Sequence, residues 1–178
     1  MLAARAHAGQ ATLVLEEIDR PDAGPGEVIV RVRAAGLAPG LFHVLKHGLV
    51  PLLPAAVGHE IAGDVVELGA GVNELEVGQR VRVHPNLTCR SCEYCLTDRE
   101  QMCSASAMIG HAVFGPDAMP LYQRYHAGGL AEFVRVPAWL VDPLPPNVDY
   151  DVGRRSTTSL TRYGHSSLRT SGPVRPWS

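Results

Sequence analysis

Alternation of apolar and polar residues is clearest from Glu27 onward, where Val28, Val30 and Val32 fall on one face and Arg31 and Arg33 on the other. That two-residue period predicts a half-buried strand. Thr12 to Glu16, Ile61 to Leu68, Gln79 to His84 and Gly128 to Pro137 carry the same strand character. Turn chemistry separates them, as in Pro21 to Gly26 and Gly69-Ala70-Gly71. Leu41 to Lys46, entered through Gly36, Pro39 and Gly40, predicts a loop leading into a short helical turn. Beyond Cys103 the spacing of Gly110, Gly115, Pro116 and Pro120 reads as loop. Several short strands with Gly/Pro turns predict a mainly β fold, barrel or sandwich.

The pattern fails near the end. From about Gly153, Ser, Thr and Arg dominate and no period is sustained, which is too little apolar surface to offset chain entropy. The expectation is therefore a domain over residues 1–150 followed by a disordered or aberrant tail over 151–178. A length of 178 residues suits one such domain.

Charge and hydropathy remove two classes of partner. A formal charge of −2 and a pI near 6.4 predict no nucleic-acid face. Apolar runs such as Leu49 to Val57, interrupted by Pro51 and Pro54, are too short to predict a membrane span. The first residues carry one arginine without the apolar core of a secretory signal, so the cytoplasm and reduced thiols are expected.

All four cysteines, Cys89, Cys92, Cys95 and Cys103, lie in one polar stretch at spacing C-x2-C-x2-C-x7-C, within a lobe placed at about 85–110. Short C-x2-C steps let neighbouring thiolates bend round one ion, and four thiolates close a tetrahedral zinc shell. The reading is a structural zinc that holds a loop in shape. Two disulfides, an iron-sulfur cluster and four unliganded thiols are the alternatives. A reducing compartment argues against the first, and the long last step without a following Cys-Pro against the second. The polar surroundings argue against the third.

Four segments in order carry a family resemblance: Pro25-Gly26-Glu27-Val28 into Ala34-Ala35-Gly36; Gly58-His59-Glu60-Ile61-Ala62-Gly63-Asp64 with Gly78-Gln79-Arg80-Val81; the cysteine lobe; and Gly129-Leu130-Ala131-Glu132-Phe133 with Leu144-Pro145. Over about residues 10–150 the chain resembles the N-terminal, GroES-like catalytic domain of zinc-containing medium-chain alcohol dehydrogenases. The resemblance implies a GroES-like irregular β-barrel whose cysteine lobe binds structural zinc. It also implies a catalytic zinc in a cleft against a separate Rossmann domain, an NAD(P) cofactor there, and a small alcohol or carbonyl substrate. His59 matches the catalytic-zinc histidine and Glu60 its neighbouring acid. Ala38 stands where a zinc cysteine belongs, and Gly40 where the proton-relay hydroxyl belongs. His43 is considered as a substitute ligand.

No G-x-G-x-x-G follows a strand and opens a helix in these 178 residues, so the Rossmann domain and its cofactor site are read as absent. The expected function is thus a zinc-binding catalytic-domain fragment of an alcohol dehydrogenase-like oxidoreductase, inactive alone and cut short by truncation or frameshift. The alternatives are a non-enzymatic zinc-stabilised interaction or regulatory module, and activity through a separately encoded cofactor domain. Whether the chain forms an oligomer is left open. Among the smaller features, His84, His111 and His126 are expected to be hydrogen-bonded or exposed. Tyr122 and Tyr125 are expected to pack beneath a loop, and Arg90 and Arg99 to be solvated or to offset thiolate charge.

Overall fold

The computed structural model describes residues 1–10 and 12–155. Its N-terminal run forms strand β1 (Leu2–Ala6), which pairs antiparallel with β2 (Val14–Glu17). The long β3 (Glu27–Gly36) follows, then helix α1 (Pro39–Lys46) and a two-residue β4 (Ala55–Ala56) on the other edge of β1. β5 (Glu60–Leu68) and β6 (Arg80–Val83) lead into the cysteine lobe. The lobe holds β7 (Asn86–Leu87), the single turn α2 (Glu93–Leu96), β8 (Ala107–Met108) and β9 (Ala112–Val113). Helix α3 (Met119–Tyr125), β10 (Phe133–Pro137), β11 (Val141–Pro143) and the short α4 (Tyr150–Arg154) complete the order.

Among the described residues three antiparallel sheets result, with orders β2-β1-β4, β10-β3-β5-β6-β11 and β7-β8-β9. The mainly β expectation holds. The sheets do not close into one continuous hydrogen-bonded barrel, because β10 and β11 remain the edges of the five-stranded sheet. An isolated bridge between Ala3 and Ala131 joins that sheet's approach to β1. Among the described residues no helix is long and apolar enough to cross a membrane.

The valines of β3 explain why this sheet forms the centre. Val28 and Val30 are fully buried and Val32 packs partly against the same cluster, while Arg31 and Arg33 face solvent. Ile61 and Val65 of β5, Val81 and Val83 of β6, and Val134 and Val136 of β10 join them. Branched residues suit a pleated, covered face, and truncating one such side chain to alanine costs about 2–5 kcal/mol. Ile29 is also fully buried, so the start of β3 is covered on both faces and its strict alternation ends there.

Two elements escaped the sequence pattern. Pro120 reads as a loop residue, yet it lies in the first turn of α3, where a missing N–H costs nothing. Tyr122 and Tyr125, one turn apart on that helix, are both buried in the main core. The expected domain boundary after residue 150 falls inside α4, whose Gly153 is buried. Tyr150 donates its hydroxyl to Asp64, and the Arg80 guanidinium lies 4.4 Å over the Tyr150 ring. Arg80 also donates to the carbonyls of Pro146 (2.8 Å) and Val148 (2.7 Å). The tail expected from 156 to 178 lies outside the described residues.

One buried carboxylate ties distant parts together. Glu27 accepts hydrogen bonds from Arg124 Nε (2.6 Å), Tyr125 Oη (2.8 Å) and Gly24 N (2.9 Å), with Arg135 Nε at 3.7 Å. Burial alone would raise its pKa. The hydrogen bonds from Tyr125, Gly24 and Arg124, with the charge of Arg135, outweigh burial and hold it below the usual carboxylate value.

A four-cysteine centre and a histidine cleft

The lobe turns tightly because Arg90 and Asp98 adopt left-handed backbone angles, φ 61° and 55°. These turns bring the four Sγ atoms within 4.8 Å of one another. Cys89 Sγ lies 3.9 Å from Cys95 Sγ, and Cys92 Sγ lies 3.5 Å from Cys95 Sγ. Thiolates arranged tetrahedrally at 2.3 Å from a zinc ion would be about 3.8 Å apart. The donor set therefore fits such an ion, and the free thiols are too far apart for disulfide bonds.

Backbone donors already serve three of the sulfurs, those of Cys89, Cys95 and Cys103. Cys92 N points to Cys89 Sγ at 3.3 Å, and Cys89 N to Cys103 Sγ at 3.5 Å. Cys89 is brought down to about 6, chiefly by the backbone N–H of Ser91, whereas burial pushes Cys95 up to about 12 and also raises Cys103. A bound divalent cation is what would keep all four deprotonated. Arg90 and Arg99 serve the lobe's outer face. Arg90 Nη1 meets Glu100 Oε1 at 2.6 Å, and Arg99 Nη2 meets Glu93 Oε1 at 3.1 Å. Each guanidinium also covers a ring, Trp139 and Tyr94 respectively.

The second site grows from a meeting of glycines. Gly58 (φ +96°) donates its N–H to Gly110 O at 3.0 Å, and Gly129 N donates to Gly58 O at 2.8 Å. A Cβ on Gly110 (φ +59°) would stand 2.6 Å from Gly128 Cα, and one on Gly128 would stand 2.2 Å from Gly58 O. Only side-chain-free positions permit this contact. It sets the two following residues, His59 and His111, ring against ring at 4.9 Å and 73°.

His59 is 8 % exposed, and burial, with His111 adding to it, pushes its pKa down to about 4. Burial lowers His111 as well. The Nδ1 atoms of both rings are buried and have no hydrogen-bond partner among the described residues. His111 thus departs from the expectation of a hydrogen-bonded or exposed ring, unlike His126, whose Nδ1 lies 2.8 Å from Gln123 O, and His84, whose Nδ1 accepts from Asn86 N.

The remaining expected residues are placed as follows. Glu60 opens β5 opposite Gly36, and its Oε2 accepts from Arg154 Nη1 at 3.0 Å. A Cβ at Gly36 would fall 1.8 Å from that oxygen, so the glycine makes room for the carboxylate. Ala38 caps the start of α1, and a Cβ on Gly40 would lie 3.9 Å from His111 Nε2. His43 is exposed and packs on His47. Among the described residues the four cysteines are the one group of three or more His, Cys, Asp or Glu gathered closely enough to hold a metal ion. Sequence reasoning missed the packing of His111 against His59 and the role of Arg154.

Comparison with known proteins agrees with this architecture. Residues 24–146 match the family described as the alcohol dehydrogenase GroES-like domain. An alcohol dehydrogenase of Geobacillus stearothermophilus is 35% identical over 182 positions, covering 99% of this chain and 48% of the relative. An L-threonine 3-dehydrogenase of Cutibacterium acnes is 38% identical over 107 residues, 58% of this chain and 31% of the relative. The solved structure of a cobalt- and zinc-bound thermostable alcohol dehydrogenase from Pyrobaculum aerophilum superposes with a TM-score of 0.77 and 29% identity. That superposition takes in 95% of this chain and 48% of the other. The chain spans about half the length of the alcohol dehydrogenases it matches. With its central sheet, cysteine lobe and Gly58-His59-Glu60 segment in the matching order, the chain belongs to the alcohol dehydrogenase GroES-like domain family.

Proposed function

We propose that this chain is the zinc-binding catalytic-domain portion of an alcohol dehydrogenase-like, NAD(P)-dependent oxidoreductase, and that the 178 residues do not turn over an alcohol by themselves. The observation that carries the reading is the family match over residues 24–146 together with a four-sulfur cluster of zinc dimensions inside it. Cys89, Cys92, Cys95 and Cys103 would hold a structural zinc, whose four-thiolate shell leaves no position for substrate. Reduced thiols of this kind favour the cytoplasm as the working compartment.

In the cleft, a zinc ion of the family's catalytic type would polarise the oxygen of a small alcohol or carbonyl compound. His59 can supply one nitrogen to such an ion. Ala38 and Gly40 supply neither a thiolate nor a hydroxyl, and Glu60 is held by Arg154. The conventional ligand set and proton relay are therefore not met by these residues. Hydride transfer also needs a cofactor positioned against the substrate, and no dinucleotide fingerprint occurs in the sequence.

Elemental analysis of protein purified without added zinc tests the first part. Close to one zinc per chain is expected, lost in the Cys89→Ser, Cys103→Ser double variant; a metal-free yet fully folded wild type overturns it. Fluorescence titration with reduced nicotinamide cofactor tests the second. No saturable binding and no alcohol-dependent cofactor reduction are expected, and turnover by the purified chain overturns the reading of inactivity.

A further inference from the structure

A groove of about 780 Å³ opens at one end of the five-stranded sheet, between the 69–79 connection from β5 to β6 and the segment that runs from β10 into β11. It shares no lining residue with the cysteine cluster or the His59–His111 contact. Gly26 holds both walls. Its N–H donates to Ala70 O at 2.9 Å, and its carbonyl accepts from Ala138 N at 2.9 Å. The first wall is also pressed onto the 24–27 backbone, since a Cβ on Gly69 would stand 1.8 Å from Gly24 O. At Gly26 (φ +71°) and Gly71 (φ +82°) a Cβ would meet nothing within 4 Å, so the space before them is open. Backbone contacts thus set the groove before any ligand arrives.

The lining joins an apolar wall to an acidic rim. Val72, Leu75, Trp139 and Val141 supply the wall, Glu74 and Asp142 supply two carboxylates, and no Lys, Arg or His lines the space. Asp142 shares its charge with Arg82, 3.3 Å away, whereas the exposed Glu74 makes no ion pair among the described residues. One negative charge is left uncompensated in a groove that also presents an indole. Arg90, which does not line the groove, stands 5.3 Å from the indole centroid and is held there by Glu100. The cleft beside β1 and β10 has the reverse character, with Arg5, Arg124 and Arg135 set against Asp19. Pockets of about 300–1,000 Å³ that combine an apolar or aromatic wall with a few polar groups are the usual form of small-molecule sites.

We propose that this groove binds a small organic cation, a protonated primary amine carried on an aromatic arm. The arm lies against Trp139, Val72 and Val141, where its apolar surface leaves water and ring packs on ring. The ammonium meets Glu74 at the rim, and the negative face of the indole favours the same charge. An anion of equal size would meet the uncompensated carboxylate instead. Preference for the cation over its anionic counterpart therefore separates a built site from a merely apolar surface. Binding here requires neither the zinc shell nor a nicotinamide cofactor.

Phenethylamine is the probe, with phenylacetate as its anionic counterpart, each titrated into the full 178-residue chain and followed by NMR. The indole N–H signals of Trp139 and Trp177 are told apart by the Trp177→Phe variant. A shift of the Trp139 signal that saturates with a Kd below about 1 mM is expected for the amine, and no saturable shift for the acid. Glu74→Gln should weaken the amine at least about fivefold, and Glu74→Lys should abolish its binding, with the metal content of both variants unchanged. Trp139→Leu should weaken it to a similar degree. Trp139 packs on the main core, so if that variant fails to fold, the two substitutions at the exposed Glu74 decide. An unmoved Trp139 signal, an equal response to phenylacetate, or an affinity indifferent to both Glu74 substitutions overturns the proposal.

Discussion

The cysteine lobe and the His59–His111 contact bring side chains together by opposite means. In the lobe all four donors come from one short stretch, and two left-handed residues, Arg90 and Asp98, turn the chain so that the sulfurs converge. At the histidine contact the two rings come from separate parts of the chain, and their approach depends on three glycine backbones touching. The first site is specified locally and the second by tertiary structure. The difference implies that the lobe should respond to its ion and the cleft to its backbone.

The largest expected effect is on the lobe. Removing the metal with a chelator, or replacing Cys95 by serine, should destabilise the lobe by several kcal/mol, because binding energy at a structural zinc is folding energy. Calorimetry or urea denaturation with and without chelator checks it; equal midpoints would erase the contrast. Next comes Gly110→Ala, which forces a side chain to 2.6 Å from Gly128 Cα at φ +59°. A loss of at least about 2 kcal/mol is expected, with cobalt binding at the cysteines retained.

Long-range polar contacts sharpen the contrast further. Glu27→Ala should cost roughly 2–3 kcal/mol, since it strips a buried acceptor from Arg124 and Tyr125. The carboxyl of Glu27 is held below its ordinary value, and so is that of Asp64, where hydrogen bonds from Tyr150 and Arg33 outweigh burial. The folded chain therefore stays ionised at these positions to lower pH than the unfolded chain. Their contribution is complete above the ordinary carboxylate pKa of about 4 and drains away as the pH falls through the lowered folded values. Urea midpoints should hold between pH 7 and about pH 5 in this respect and fall below about pH 4, less steeply in Glu27→Ala.

Smaller effects follow outward. Arg154→Ala should cost about 1–2 kcal/mol by leaving the half-buried Glu60 carboxylate without its partner, and thermal denaturation measures it. Arg99→Ala removes a pair whose Glu93 side chain is 77% exposed, so the midpoint should move by less than about 0.5 kcal/mol. A larger change there than at Arg154 would reverse the ordering.

Local information made the cysteine lobe and the central strands legible. Four thiols within a few turns of chain, or Val28, Val30 and Val32 set against Arg31 and Arg33, state their geometry in their spacing. The histidine pair does not. Nothing around Gly110-His111 reveals that Gly58-His59 lies beside it, since the contact depends on close approach of distant backbones. α3 was hidden because a proline in a helix's first turn and a proline in a loop look alike. The pairing of Glu60 with Arg154 was hidden because Arg154 sits where apolar periodicity has already ended.

Both edges of the five-stranded sheet are short and end in proline: β10 runs for 5 residues to Pro137 and β11 for 3 residues to Pro143. Proline has no N–H to offer a neighbouring strand, and short edges give little length for one to align on. Copies of this chain are thereby discouraged from joining through either edge of this sheet. Side-chain surfaces such as the exposed Leu37, Phe42 and Leu49 around α1 remain open to contact.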